Sequence, residues 1–353
     1  MRRFVVESAL SYLSNYNIDG FRIDNVDGIL RYGNNGDGQE RPNGRLFLRE
    51  FNAALYEYKK NTFISFESHF YAGNNAKWLV APIDSHKKAL GATVYNESRL
   101  TYYLHKEFMP KSADDISPWK IQHIIDEKSW GKSESTVTDF HNHDAAAGLM
   151  PQRATGSYAY NAIALNKKSV HFHAIGKIKS MESIISFAFE GRTLDLIQSH
   201  ILQNNSFEHD STIQWGLLER NESSEVLAYK NAVNDLLQQK AFWPINLSNR
   251  KVLNIDEKSK TIVLYRGTDP EMKSGYLILI NMSAFENNDF VIPSPKNTKF
   301  NLILNSDDSK FSGTGTSDIT KSKTAIKTDL FKYFPFGINI EKISPYMTLV
   351  FKY

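Results

Sequence analysis

The stretch from Ile18 to Tyr32, IDGFRIDNVDGILRY, restricts the fold more than any other part of the chain. Side chains alternate along an extended backbone, so as a strand it points Phe21 and Ile23 to one face and Arg22 and Asp24 to the other. A guanidinium and a carboxylate then share a face at the strand's C-terminal end. Charges on a buried face are costly unless they pair with each other or act on a ligand. Taken alone, the segment fits a structural Arg22–Asp24 ion pair as well as a functional one, because structural pairs mimic functional ones.

The flanks repeat the pattern. Val6, Leu10 and Leu13 recur at helical spacing, and Asn15 to Asp19 breaks that helix before the strand. After Tyr32, GNNGDGQERPNG reads as a loop, and Leu48, Phe51, Leu55 and Tyr58 stripe a second helix that closes at Lys59 to Asn61. The next strand, TFISFESH, places Phe63, Ser65 and Glu67 on one face and Ile64 and Phe66 on the other. Two successive βα units thus each deliver an acid from a strand end. LGATVYN reads as a further strand and SRLTYYLHKEF as a helix, while STVTDFHNHD sets His143 and Asp144 just past an alternating β-branched run.

A (β/α)8 barrel builds its active site from the C-terminal ends of its strands. The expected fold class is therefore α/β, a partial (β/α)8 TIM barrel of about five strands. Asp24, Glu67 and Asp144 would then meet at one rim. Such a set suits glycoside chemistry, in which one carboxylate is the nucleophile and a second the proton donor and base, about 5 to 5.5 Å apart when configuration is retained. The third can stabilise the oxocarbenium-like transition state. A metal site is the competing use of three acids, but His143 is the one nitrogen ligand beside them, and no metal is expected.

Composition narrows the classes. The 353 residues are 41% hydrophobic, enough for a sizeable core and about two domains. The net charge of +3 is spread without long runs of one sign, which supports neither nucleic-acid nor membrane binding. Absence of cysteine removes disulfides, thiolate metal sites and thiol nucleophiles together. No apolar run reaches the roughly 20 residues that span a bilayer, and the N-terminus is too interrupted by polar residues for a signal peptide. A soluble, cytoplasmic protein is expected.

DGFRID around Asp24, FESH around Glu67 and HNHD around Asp144 resemble, in chain order, three short signature regions of the α-amylase superfamily. The flanks are similar to 1,4-α-glucan branching enzymes: RRFVVESALSYLSNYNIDGFRIDNVDGIL, GRLFLREFNAALYE and, above all, FEGRTLDLIQSHILQNNSFEHDSTIQWGLLE. The resemblance implies Asp24 as nucleophile, Glu67 as general acid/base and Asp144 as transition-state stabiliser. Arg22 and His143 would hold the nucleophile and the sugar. It implies a retaining transglycosidase that cleaves an α-1,4 bond of glycogen, starch or amylose and forms an α-1,6 branch, with no cofactor. An amylase-type hydrolase, or an inactive glucan-binding or partner-binding remnant, are the alternatives. Hydrolytic members commonly carry Lys and His after the nucleophile, where this chain has Asp27 and Gly28, which favours branching.

Other positions depart from the family pattern. His200 in QSHIL stands where an acid is expected, and Glu190 where a proline is usual. SVHFHAIGKIK has no counterpart, and its His171 and His173 are expected on one strand face, as surface residues rather than a metal pair. Only about five barrel strands precede the C-terminal domain, so the chain is expected to be the C-terminal part of a branching-type enzyme, from a split gene, a decayed reading frame or a shortened polypeptide, and the missing N-terminal half as a separate chain is one candidate partner. Residues 1–245 are expected to form the barrel part and 246–353 an all-β sandwich. KTIVLYRG, GYLILINMS, DFVIP, KFNLILN and YMTLVFKY are its strands, separated by turn residues.

Overall fold

The computed structural model describes residues 1–33, 38–68, 76–96, 98–104, 108, 115–127, 136–139, 168–189, 191–203, 212–243, 249–316, 319 and 322–353. Two compact units divide the chain, Met1–Ser98 with Asp126–Thr138, and Arg99–Ile125 with Asp139–Tyr353.

The first unit alternates helices and strands. α1 (Arg2–Asn15) leads to β1 (Gly20–Ile23), the short α2 (Val26–Leu30) and α3 (Pro42–Tyr58), then β2 (Phe63–Phe66), α4 (Lys77–Val80), β3 (Val94–Asn96) and β4 (Thr136–Asp139). The strands pair in parallel, β1 with β2, β2 with β3 and β3 with β4. α1 buries Ala9 and Leu13, and α3 buries Leu48, Phe51 and Leu55, the predicted stripe apart from exposed Tyr58 at its end. These side chains pack with Val26, Leu30, Ile64, Phe66 and Tyr95 into one core. Gly20 is required by close approach: a Cβ there would lie 1.7 Å from the Phe63 carbonyl oxygen.

The second unit contains α5 (Ser98–Tyr103), most of α6 (Pro118–Glu127), α7 (Lys168–Ser183), β5 (Arg192–Leu194), α8 (Ile197–His200) and α9 (Asn221–Leu237). Nine strands follow: β6 (Asn249–Asp256), β7 (Thr261–Gly267), β8 (Tyr276–Asn281), β9 (Asn287–Ser294), β10 (Lys299–Asn305), β11 (Ser322–Thr324), β12 (Ile326–Lys327), β13 (Phe336–Ile343) and β14 (Thr348–Lys352). They form a six-stranded sheet, β11-β10-β14-β8-β7-β6, and a three-stranded sheet, β12-β13-β9. Val263, Leu277, Leu279, Leu349 and Phe351 of the larger sheet meet Ile292, Ile338 and Ile340 of the smaller. The fold class is thus the one expected, a partial (β/α)8 barrel of five strands followed by a β-sandwich.

Strands β7 and β8 are buried on both faces. Their alternate residues Ile262, Leu264, Ile278 and Ile280 turn away from the sandwich and pack with α7 and α9 residues such as Ile178, Met181, Val226 and Tyr229. Their near-continuous apolar runs are explained by these two cores.

One expectation is corrected. SVHFHAIGKIK is not a strand but lies in α7, so residues two apart point to different sides of the helix rather than sharing a face. His173 packs its ring edge-on against Tyr346, with Nδ1 3.3 Å from the phenol oxygen. Periodicity alone separates poorly a buried helix rich in Ile and Phe from a strand.

Candidate functional site

The register of β1 against β2 pairs Arg22 with Ser65 and Ile23 with Phe66, so one step further brings Asp24 level with Glu67. The backbone continues to bind the two ends after the strands stop: Glu67 N–H donates to the Ile23 carbonyl at 3.0 Å, and Val26 N–H to the Glu67 carbonyl at 2.9 Å. Alternation places Arg22 on the same side as both acids. Its guanidinium spans them, with Nη1 2.9 Å from Asp24 Oδ1 and Nη2 2.6 Å from Glu67 Oε1.

The two carboxylates have different surroundings. The Glu67 side chain is 6% exposed and that of Asp24 72%. Asn25 N–H donates to Glu67 Oε2 at 3.1 Å, so both oxygens of the buried acid are engaged. The Asp24 carboxyl is pushed above the ordinary aspartate range, chiefly by its hydrogen bond with Glu67, then by burial and the charge of Glu67, against the pull of Arg22. Two carboxyls this close do not both ionise cheaply, and the proton belongs to the pair.

Of the residues singled out in the sequence, Arg22, Asp24 and Glu67 are brought together. Asp144 and His143 lie outside the described residues, as do Glu190 and the side chain of His171. The sequence reading missed Asn25 and Ser68, and took Asp27 only as a departure from the hydrolases. Ser68 Oγ–H donates to Asp27 Oδ1 at 2.7 Å, both residues being buried. Each is adjacent, or nearly so, to one of the acids, which is the signal that could have flagged them.

His200 lies in a second group, within the other unit. One ligand-type atom each of Glu182, Asp195 and His200 falls within 4.8 Å of the others. Lys230 Nζ reaches Glu182 Oε1 at 2.6 Å and Asp195 Oδ2 at 2.5 Å, so an ammonium takes the place a cation would occupy. Burial works against that ammonium, but Glu182 and Asp195 outweigh it and hold its pKa above the usual lysine value. Burial pushes His200 down, against Glu182 and Asp195. The group is a charge-compensated brace joining α7, the end of β5, α8 and α9.

No protein-family model matches the chain. It is 21% identical over 350 residues to the 1,4-alpha-glucan branching enzyme of Vibrio parahaemolyticus, covering 92% of this chain and 42% of that protein. It is 20% identical over 358 residues to the branching enzyme of Fusobacterium nucleatum, covering 98% and 53%. The chain spans about half the length of these curated relatives. Among solved structures, an alpha-amylase from Geobacillus thermoleovorans complexed with acarbose superposes with a TM-score of 0.60 at 13% identity, over 99% of this chain and 63% of that one. The alpha-amylase from H. orenii gives 0.59 at 14%, over 99% and 64%. In sequence along most of its length the chain is similar to 1,4-alpha-glucan branching enzymes, and in fold it has the α-amylase architecture.

Proposed function

We propose that this chain carries catalytic carboxylates of a retaining transglycosidase that acts on α-1,4-glucan and forms α-1,6 branches. The observation that carries the reading is the single guanidinium of Arg22 joined to Asp24 and Glu67 at neighbouring strand ends. In this scheme an Asp24 oxygen attacks C1 of a glucose unit, and Glu67 protonates the departing 4-oxygen as the C1–O bond breaks. The glycosyl ester on Asp24 is then attacked by the 6-hydroxyl of a second chain. Glu67 takes that proton and Asp24 leaves as carboxylate. A sugar entering between the acids separates the proton-sharing pair, so the acid limb of turnover reports ionisation of Asp24.

Asp144 as transition-state stabiliser and His143 as a sugar contact complete the scheme by resemblance. No metal or cofactor takes part in it. Completion of the barrel by further strands, in the same polypeptide or a separate one, belongs to the same reading, as does a cytoplasmic role in glycogen or starch metabolism. Among the described residues no helix is long and apolar enough to cross a membrane.

Incubation with amylose tests the proposal. Branching lowers iodine absorbance with few new reducing ends. Reducing ends rising in step with the loss of colour would indicate hydrolysis and overturn the transfer step. No change in either, by the chain supplemented with the remaining barrel strands, would overturn the enzymatic reading.

A further inference from the structure

We propose that Asn25, Asp27 and Ser68 form a polar clasp that positions Glu67 against Asp24. The proposal rests on the catalytic reading of these two acids and extends it to the residues that hold them.

Asn25 directly follows Asp24 and has left-handed backbone angles, φ 41 and ψ 54. Few residues other than glycine occupy that region without penalty, and asparagine is the commonest exception. From this turn its N–H reaches Glu67 Oε2, while its side-chain Oδ1 accepts from Gly28 N–H at 3.2 Å. The side chain therefore stabilises the conformation that delivers the backbone donor. Ser68 directly follows Glu67, and its hydroxyl is tied to Asp27 in the first turn of α2. Asp27 and Ser68 are 2% and 3% exposed, where a polar pair is kept only if satisfied.

These bonds act in concert with the backbone. Glu67 is fixed through its N–H, its carbonyl and both side-chain oxygens, and each contact comes from the segment Arg22 to Val26. The Ser68–Asp27 bond adds a fifth connection, to the residue that follows that segment. A general acid/base must be held within hydrogen-bond reach of the oxygen it serves, and a small misplacement is costly. Asn25, Asp27 and Ser68 are positioning residues in this scheme, since they act through Glu67.

The test is a carboxyl carbon NMR titration of the intact chain, with melting temperature as the control for folding. In the unsubstituted chain Asp24 is expected to titrate above the ordinary aspartate range, and Glu67→Gln is expected to lower its midpoint. Ser68→Ala and Asn25→Val are expected to lower the Asp24 midpoint by about half a unit or more, because Glu67 drifts from it. Ser68→Thr keeps a hydroxyl and Asn25→Gly keeps the left-handed turn, so both retain the original midpoint. Folded Ser68→Ala and Asn25→Val chains with unchanged titration overturn the clasp. If those two do not fold, an Asp24 midpoint indifferent to Glu67→Gln overturns it instead.

Turnover of amylose is measured in parallel. In an active enzyme Ser68→Ala is expected to lower kcat about tenfold with KM within about twofold, a loss of ~1.4 kcal/mol in transition-state stabilisation. A chain that stays inactive when supplemented with the remaining barrel strands counts against the catalytic reading, and the titration still decides the clasp.

Discussion

Lys179 provides a sharp test of the packing between α7 and the β-sandwich. Its side chain reaches from α7 to the sandwich within the second unit, where Nζ donates to the Ser306 carbonyl at 2.7 Å and the Phe311 carbonyl at 2.9 Å. Burial pushes its pKa down from 10.5 to about 8, against the opposing pull of Asp307 and Glu225. A neutral amine still has two N–H donors, so both hydrogen bonds survive deprotonation. The unfolded chain keeps the ordinary value. Below about pH 8 both states are protonated and the group adds no pH dependence. Between about 8 and 10.5 the unfolded state binds more protons, and stability rises with pH. The full gap of about 2.5 units, 10.5 less 8, is worth ~3 kcal/mol at 1.36 kcal/mol per unit.

The assay is urea unfolding of the parent chain and Lys179→Met across that range, reading the difference between them. The phenols of Tyr265 and Tyr346, both pushed up to about 12 by burial, work in the opposite sense above about pH 10 but are common to both proteins. Lys179→Met also strands two carbonyls, a cost that does not vary with pH. The parent is therefore expected to gain on the variant as pH rises. Parallel stability curves would show that the ammonium is not forced into low dielectric, and the reasoning would fail.

Three further outcomes follow from the same contacts. Asp24→Asn should leave the fold intact by circular dichroism and abolish glucan turnover, and retained activity would refute its role as nucleophile. Lys230→Met leaves buried Glu182 and Asp195 without their shared cation, and urea unfolding should register a loss of about 3–5 kcal/mol, with Glu182→Gln in the same background recovering part of it. Gly20→Ala drives a methyl into the Phe63 carbonyl and forces β1 from β2, so its melting temperature should fall by several degrees or the chain should fail to accumulate in soluble form.

The strand-end acids were legible because the relevant rules are local. Alternation along an extended backbone fixes which side chains share a face, and the spacing of Leu48, Phe51 and Leu55 fixes the buried stripe of α3. Those local rules suffice to place Arg22, Asp24 and Glu67 on one rim. The clasp was not legible in the same way. Asn25 takes its part through a left-handed backbone angle, and Ser68 and Asp27 meet across 41 residues.

The amino-acid sequence by itself determined the βα rhythm, the two acids with their arginine, and the short β runs of the C-terminal domain. Tertiary structure decided that His173 lies on a helix, that β7 and β8 serve two cores, and that Arg266 is wholly buried with Nη1 donating to the Phe187 carbonyl at 2.9 Å. The physical reason is reach. Periodicity reports which face of an element avoids water. Which distant carbonyl or carboxylate satisfies a buried cation depends on what packs against that face, and no local pattern encodes it.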